Sequence, residues 1–123
     1  MPSEQAHRQQ ARANWDYANR LLQPGISEPI AAQWAVTVVF YAAVHCIEAY
    51  LAPHNIHSTT HIRRWNAITD PRYAVPPGVY LSYHRLRLDS EAARYDMAEF
   101  SLQDIQQRLI GDYLATIAGF VNL

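Results

Sequence analysis

The chain has 123 residues, half of them hydrophobic, and its ten basic and eleven acidic residues give a formal charge of −1. That length supports one domain with one core, and that hydrophobic share excludes an intrinsically disordered chain. The near-neutral balance excludes a broadly basic, duplex-neutralising surface, while leaving room for a local basic patch.

The opening stretch MPSEQAHRQQARAN is polar and lacks the apolar core of a secretory signal, so a cytoplasmic protein is expected. Ser3 is placed to cap a first helix that runs to about Leu22. Its apolar positions, Ala6, Ala11, Trp15, Ala18, Leu21 and Leu22, form a loose helical stripe. Gln23, Pro24 and Gly25 stop it. Ser27 then caps a second helix, with Pro29 tolerated in its first turn.

The segment Ile30 to Ala52 is apolar around nearly every side of a helical wheel. Such a helix is buried in protein or embedded in lipid, and a membrane span needs ~20 apolar residues. Gln33, His45 and Glu48 interrupt this one, and no basic cluster flanks it as a topology anchor. It reads as the long buried central helix of a soluble all-α bundle, with no membrane partner. Cys46 is the single cysteine, so it forms no intramolecular disulfide and reads as a reduced core residue. His45 and Cys46 are neighbours in a helix and point ~100° apart, which argues against a thiolate–imidazole pair.

Pro53 ends the central helix, and a histidine-rich loop, His54 to Ser58, follows. Ser58 or Thr59 starts a short third helix with Ile62, Trp65 and Ile68 at helical spacing. Asp70-Pro71 closes it, and RYAVPPG is a rigid loop. Gly78 precedes a fourth helix with Tyr80, Tyr83 and Leu86 or Arg87 on one side. Residues Asp89 to Phe100 read equally as helix or structured turn. Ser101 with Asp104 resembles a capping box. The last helix places Leu102, Ile105, Leu109, Tyr113, Ile117 and Phe120 along one face. No segment alternates like a strand.

Three groups of residues carry possible chemistry. His45 and Glu48 are three apart and share a helical face. Because a buried unpaired charge is costly, they are expected to satisfy each other or arginines of the fourth helix; an acid–base dyad is the alternative. His54, His57 and His61 have the residue type of a zinc, nickel or copper site, although Pro53 and Asn55-Ile56 break the helix that would stack them. Arg63 and Arg64, then Arg85, Arg87 and Arg94, are interleaved with Trp65, Tyr80, Tyr83 and Tyr95. Guanidinium forks bind phosphate and aromatic rings stack on unpaired bases. There is no GxGxxG and no GxxxxGK[ST], and no cofactor is expected.

The run WAVTVVFYAAVHCIEAYL, with His61, Arg64, Tyr83 and Leu86 and then SEAARYD, resembles a subgroup of the HEPN domains (higher eukaryotes and prokaryotes nucleotide-binding). The shared elements are the aromatic pair Phe40-Tyr41, the histidine and acid His45 and Glu48, and the S-x-x-A-R-Y element of Ser90, Ala93, Arg94 and Tyr95. The resemblance spans most of the chain. It implies an up-and-down bundle of about four to five helices, commonly a homodimer. It also implies a role in binding RNA or a nucleotide, or in a toxin–antitoxin or defence system, where such domains pair with a nucleotidyltransferase-type antitoxin. Many members are ribonucleases whose arginine is followed a few residues later by histidine. Here the positions after Arg94 where that histidine would fall hold Glu99, Phe100 and Ser101, so the expectation leans away from an enzyme. Arg94, Glu99 and His45 are the candidate catalytic residues, with Arg94–Glu99 read first as a salt bridge or phosphate-contacting remnant. His61, Arg64, Arg85, Arg94 and Tyr95 are the candidate ligand-binding residues. A divergent metal-independent ribonuclease using Arg94 with His45, His61 or His84 is the alternative, and a metal-binding bundle built on His54, His57 and His61 is the second.

Overall fold

A computed structural model describes residues 1–25 and 29–123. Five helices, α1 (Glu4–Leu21), α2 (Pro29–Leu51), α3 (His61–Ile68), α4 (Pro77–Tyr95) and α5 (residues 102–121), make an all-α bundle, with no strand among the described residues. Short 3-10 turns, Ala52–His54 and Pro71–Tyr73, follow α2 and α3.

Local signals explain most of the boundaries. The Ser3 hydroxyl accepts from the Ala6 amide at 3.1 Å and caps α1, satisfying one of the orphan donors at a helix start. Thr60, rather than Ser58 or Thr59, caps α3 through the Arg63 amide. α4 begins at Pro77, one residue ahead of Gly78, with proline's fixed φ suited to a first turn. It then runs unbroken through the ambiguous stretch to Tyr95, where Met97, at φ 52°, turns the chain away. Ser101 caps α5 through the Asp104 amide, as the capping-box pattern predicts. α5 ends in a Schellman motif: Asn122 is left-handed, and the Leu123 amide donates to the Ala118 carbonyl. The proposed Ser27 cap of α2 lies outside the described residues.

α2 is the axis of the bundle. By length and composition it is apolar enough to cross a membrane, yet 67% of its apolar window is packed inside the protein, where α1, α4 and α5 wrap it. Alanines 32, 35, 42 and 43 bring its backbone close to its neighbours, and α1 answers with the buried alanines 11 and 18. Phe40, Ile47 and Leu51 meet Tyr83 and Leu86 of α4 and Leu109, Leu114 and Ile117 of α5 in one core. On α1 the inward stripe includes His7, while Ala6 faces solvent.

α5 departs from simple periodicity. Residues Ile105–Leu114 form a π-helix between two α-helical ends. Its wider turns shift the register, so the sealed positions are Ile105, Leu109, Leu114, Ile117 and Val121, and Tyr113 and Phe120 are only half-buried. Gly111 sits where a Cβ would lie 2.9 Å from the Gln106 carbonyl oxygen. Arg108 clamps this segment, donating to Asp104 on its own helix and to Asp89 of α4 at 2.9 Å.

Candidate functional site

Two polar regions flank α2, one sealed and one open. The sealed region begins at Glu48, whose side chain is forced into the core by the all-round apolarity of its helix. Its Oε1 accepts from Arg64 Nε at 2.7 Å and from the Ser58 hydroxyl at 2.6 Å. Glu48 is 4% exposed and Arg64 7%. Arg64 also donates from Nη1 to the Tyr83 hydroxyl at 3.3 Å and to His61 Nδ1 at 3.2 Å. The partner of Glu48 is therefore neither His45 nor a fourth-helix arginine. It comes from α3, whose Arg64 side chain reaches inward to α2, while the buried positions of α4 include Tyr83 and Leu86.

His45 points the other way. Its Nδ1 lies 3.0 Å from Nδ1 of His7 on α1, so one ring donates the single proton that the two nitrogens share. Burial lowers the pKa of both imidazoles; the Glu48 carboxylate opposes this, while Arg64 and a neighbouring imidazole (His57 for His7, His7 for His45) add to it. The two rings, Glu48, Ser58, Arg64 and His57 line a cavity of about 330 Å³ beside the N-terminus. His7 went unrecognised in the sequence; the signal available was its place on the buried stripe with Ala11 and Ala18.

The histidine cluster is dispersed. His54 packs its ring between Tyr50 and Tyr73, whose carbonyl accepts from the Tyr50 hydroxyl. His57 borders the cavity, and His61 turns to Arg64. Among the described residues, no group of three or more His, Cys, Asp or Glu side chains is placed to hold a metal. His84 packs against Trp65. Cys46 is buried, and burial pushes its thiol up to about 12.

The open region lies along α3 and α4. His61 is the hinge between the two regions: its ring packs on Phe40, with centroids 5.7 Å apart. Burial lowers its pKa, and the positive charges of Arg87, Arg64 and Arg94 lower it further against the opposing effect of Glu91. Arg87 pairs with Glu91 at 3.1 Å. Arg94 does not bond Glu99, which is exposed; its Nε donates to the Ser90 carbonyl and its guanidinium lies over the Tyr95 ring. Arg63 and Arg85 are exposed and belong to no ion pair among the described residues. Of the candidate set, the structure therefore bonds His61 to Arg64, stacks Arg94 on Tyr95, and leaves Arg85 and Glu99 on the surface.

Beyond Arg94, between α2 and the end of α4, runs a groove of about 350 Å³ lined by Ile30, Gln33, Trp34, Thr37, Arg94 and Met97. Trp34 is 57% exposed, and Tyr95 and Met97 are more exposed still. Comparisons with protein-family models, with curated proteins and with solved structures find no match to this chain.

Proposed function

We propose that this protein is a HEPN-like, single-stranded-RNA-binding protein that works by holding phosphate rather than cleaving it. The observation that carries the reading is the pair Arg87 and Arg94, two turns apart on one side of α4, with the Arg94 guanidinium lying over the exposed Tyr95 ring. Guanidinium groups beside an exposed ring suit a strand whose phosphates are held and whose bases stack.

The imidazole itself favours binding over catalysis. Arg64 has no lone pair to offer, so His61 Nδ1 must accept from it. A neutral ring bonded in this way keeps its proton on Nε2. That nitrogen is a donor, suited to a phosphate oxygen and unsuited to taking the 2′-hydroxyl proton that ribonuclease chemistry requires. Glu99 offers no replacement base, since it stands in solvent away from Arg94's bonds.

In this reading the protein is cytoplasmic and acts as a homodimer. Leu81 and Leu88, spaced by seven along the outer face of α4, are both exposed and make an apolar stripe for a second copy that leaves Tyr95 to the RNA. A nucleotidyltransferase-type partner from a toxin–antitoxin or defence system is the protein class that the family resemblance names.

The test is fluorescence anisotropy of a labelled single-stranded RNA with the full chain at two salt concentrations. Binding should weaken with salt, and Arg94→Ala and Arg87→Ala should each lower the log–log salt slope by about 0.7. RNA binding that neither substitution alters, or cleavage of the RNA that Arg94→Ala abolishes, overturns the reading.

A further inference from the structure

We infer that the groove between α2 and the end of α4 is a pocket for one unpaired nucleobase, stacked on Trp34, with the attached phosphate on Arg94. The inference rests on the RNA-binding reading for its ligand class. Its own support is the chemistry of the groove.

The indole of Trp34 forms one wall and remains more than half exposed, although α2 is otherwise the most buried helix. Ile30, one turn earlier, is equally exposed, so the two together leave an apolar surface whose indole is free to stack. The groove is predominantly apolar with few polar groups, the usual make-up of a small-ligand site, and its volume sits at the lower end for such sites. That size suits a base and its sugar and excludes a paired duplex.

The polar groups are the second observation. Thr37 lines the same groove, is 6% exposed, and its hydroxyl has no hydrogen-bond partner among the described residues. Ser82 returns its hydroxyl to the Gly78 carbonyl and Thr69, at the end of α3, to that of Trp65, each at 2.7 Å. Thr37 and the fully buried Ser90 make no such bond, and of these two only Thr37 lines the groove. A buried orphan hydroxyl is costly, and threonine in a helix has two accessible χ1 rotamers. A base edge in the groove would supply the missing partner once the Thr37 χ1 turns the hydroxyl outward. Gln33, one turn earlier, holds its amide in place by donating to the Ala98 carbonyl at 3.3 Å, and its side-chain oxygen is an acceptor for a base N–H. Arg94 at the rim supplies charge for a phosphate. An apolar peptide would use the indole and Ile30, and its backbone would answer Thr37, but it brings no charge for Arg94; a base with its phosphate meets all of them.

The experiment titrates the intact protein with adenosine and uridine 5′-monophosphates and, as a base-less control, ribose 5-phosphate. Binding is followed by Trp fluorescence and by the Gln33 side-chain amide in 1H–15N spectra. The nucleotides should bind and shift the Gln33 signals, and ribose 5-phosphate should bind at least tenfold more weakly, as loss of base stacking implies (about tenfold or more). Trp34→Ala should weaken nucleotide binding about tenfold, Trp34→Tyr should restore most of it, and Thr37→Val should weaken it severalfold, all with unchanged circular dichroism. Equal affinity for ribose 5-phosphate, or indifference to Trp34→Ala, overturns the pocket. So does a drop in oligomeric state with Trp34→Ala, which would show a second copy covering the groove. RNA binding lost in Arg87→Ala and Arg94→Ala but untouched by Trp34→Ala would leave the phosphate seam standing and remove only the base pocket. Nucleotide binding at Trp34 without RNA binding would do the reverse.

Discussion

The guanidinium of Arg64 reaches 16 residues back along the chain to the carboxylate of Glu48 and meets it at 2.7 Å, with both side chains nearly sealed from water. Desolvating two charges is costly, and their attraction offsets that cost only when the remaining donors and acceptors are also filled. Here Ser58 adds to Glu48, and Tyr83 and His61 add to Arg64. The pair thus ties α3 to the bundle core and holds His61 at the edge of the open seam.

Removing either member strands the other. Arg64→Ala should cost about 3–5 kcal/mol of stability, because it leaves a buried carboxylate without its cation. The double variant Glu48→Leu, Arg64→Met should be more stable than either single variant, since it removes the uncompensated charge. Urea unfolding followed by circular dichroism measures both. A single variant as stable as the parent would show that the pair opens to solvent.

The His7–His45 contact makes stability depend on acid. In the unfolded chain these histidines take a proton at the ordinary value of 6.5, and in the folded chain burial lowers both. Below that value the unfolded state binds more protons than the folded one, so the free energy of unfolding falls as pH falls. The loss starts near the unfolded value and ends once pH drops beneath the lowered folded ones. Only one proton fits between two Nδ1 atoms 3.0 Å apart, so full protonation must separate the rings. Denaturation midpoints measured from pH 7.5 downward should decline below about pH 6.5, and His7→Gln with His45→Gln should flatten that decline. An equally steep decline in the double variant would place the acid-sensitive groups elsewhere.

Cys46 should be chemically silent in the folded protein. Its thiol is buried and pushed up to about 12, and the thiolate is the reactive form. Ellman's reagent at pH 8 should label it only at the rate of unfolding, with immediate reaction in urea. Rapid labelling without denaturant would contradict its burial against α1.

Gly111→Ala tests the π-helical stretch. The added methyl would press on the Gln106 carbonyl at 2.9 Å, a backbone atom that moves only if the turn moves. The expected cost is about 1–3 kcal/mol, as for other overpacked sites. A neutral or stabilising effect would mean that this turn readily relaxes to a regular α-helix.

Periodicity, caps and breakers are local properties, and they are legible in the sequence. The all-round apolarity of residues 30–52 dictates a buried axis, Pro53 and Asp70-Pro71 mark true ends, and Ser101 and Ser3 cap the helices assigned to them. The π-helix in α5 is not legible, because its register shift depends on how Leu114 and Val121 seat against α2 and α4. The sequence alone also shows that His45 and Glu48 need partners, since neither can sit unbonded in such a helix. It does not say which. His7 lies 38 residues away from His45, and Arg64 competes with four other arginines of α3 and α4 for Glu48. Only the packing of α1 and α3 across α2 chooses between them, because a hydrogen bond depends on distance in space and carries no trace in chain order.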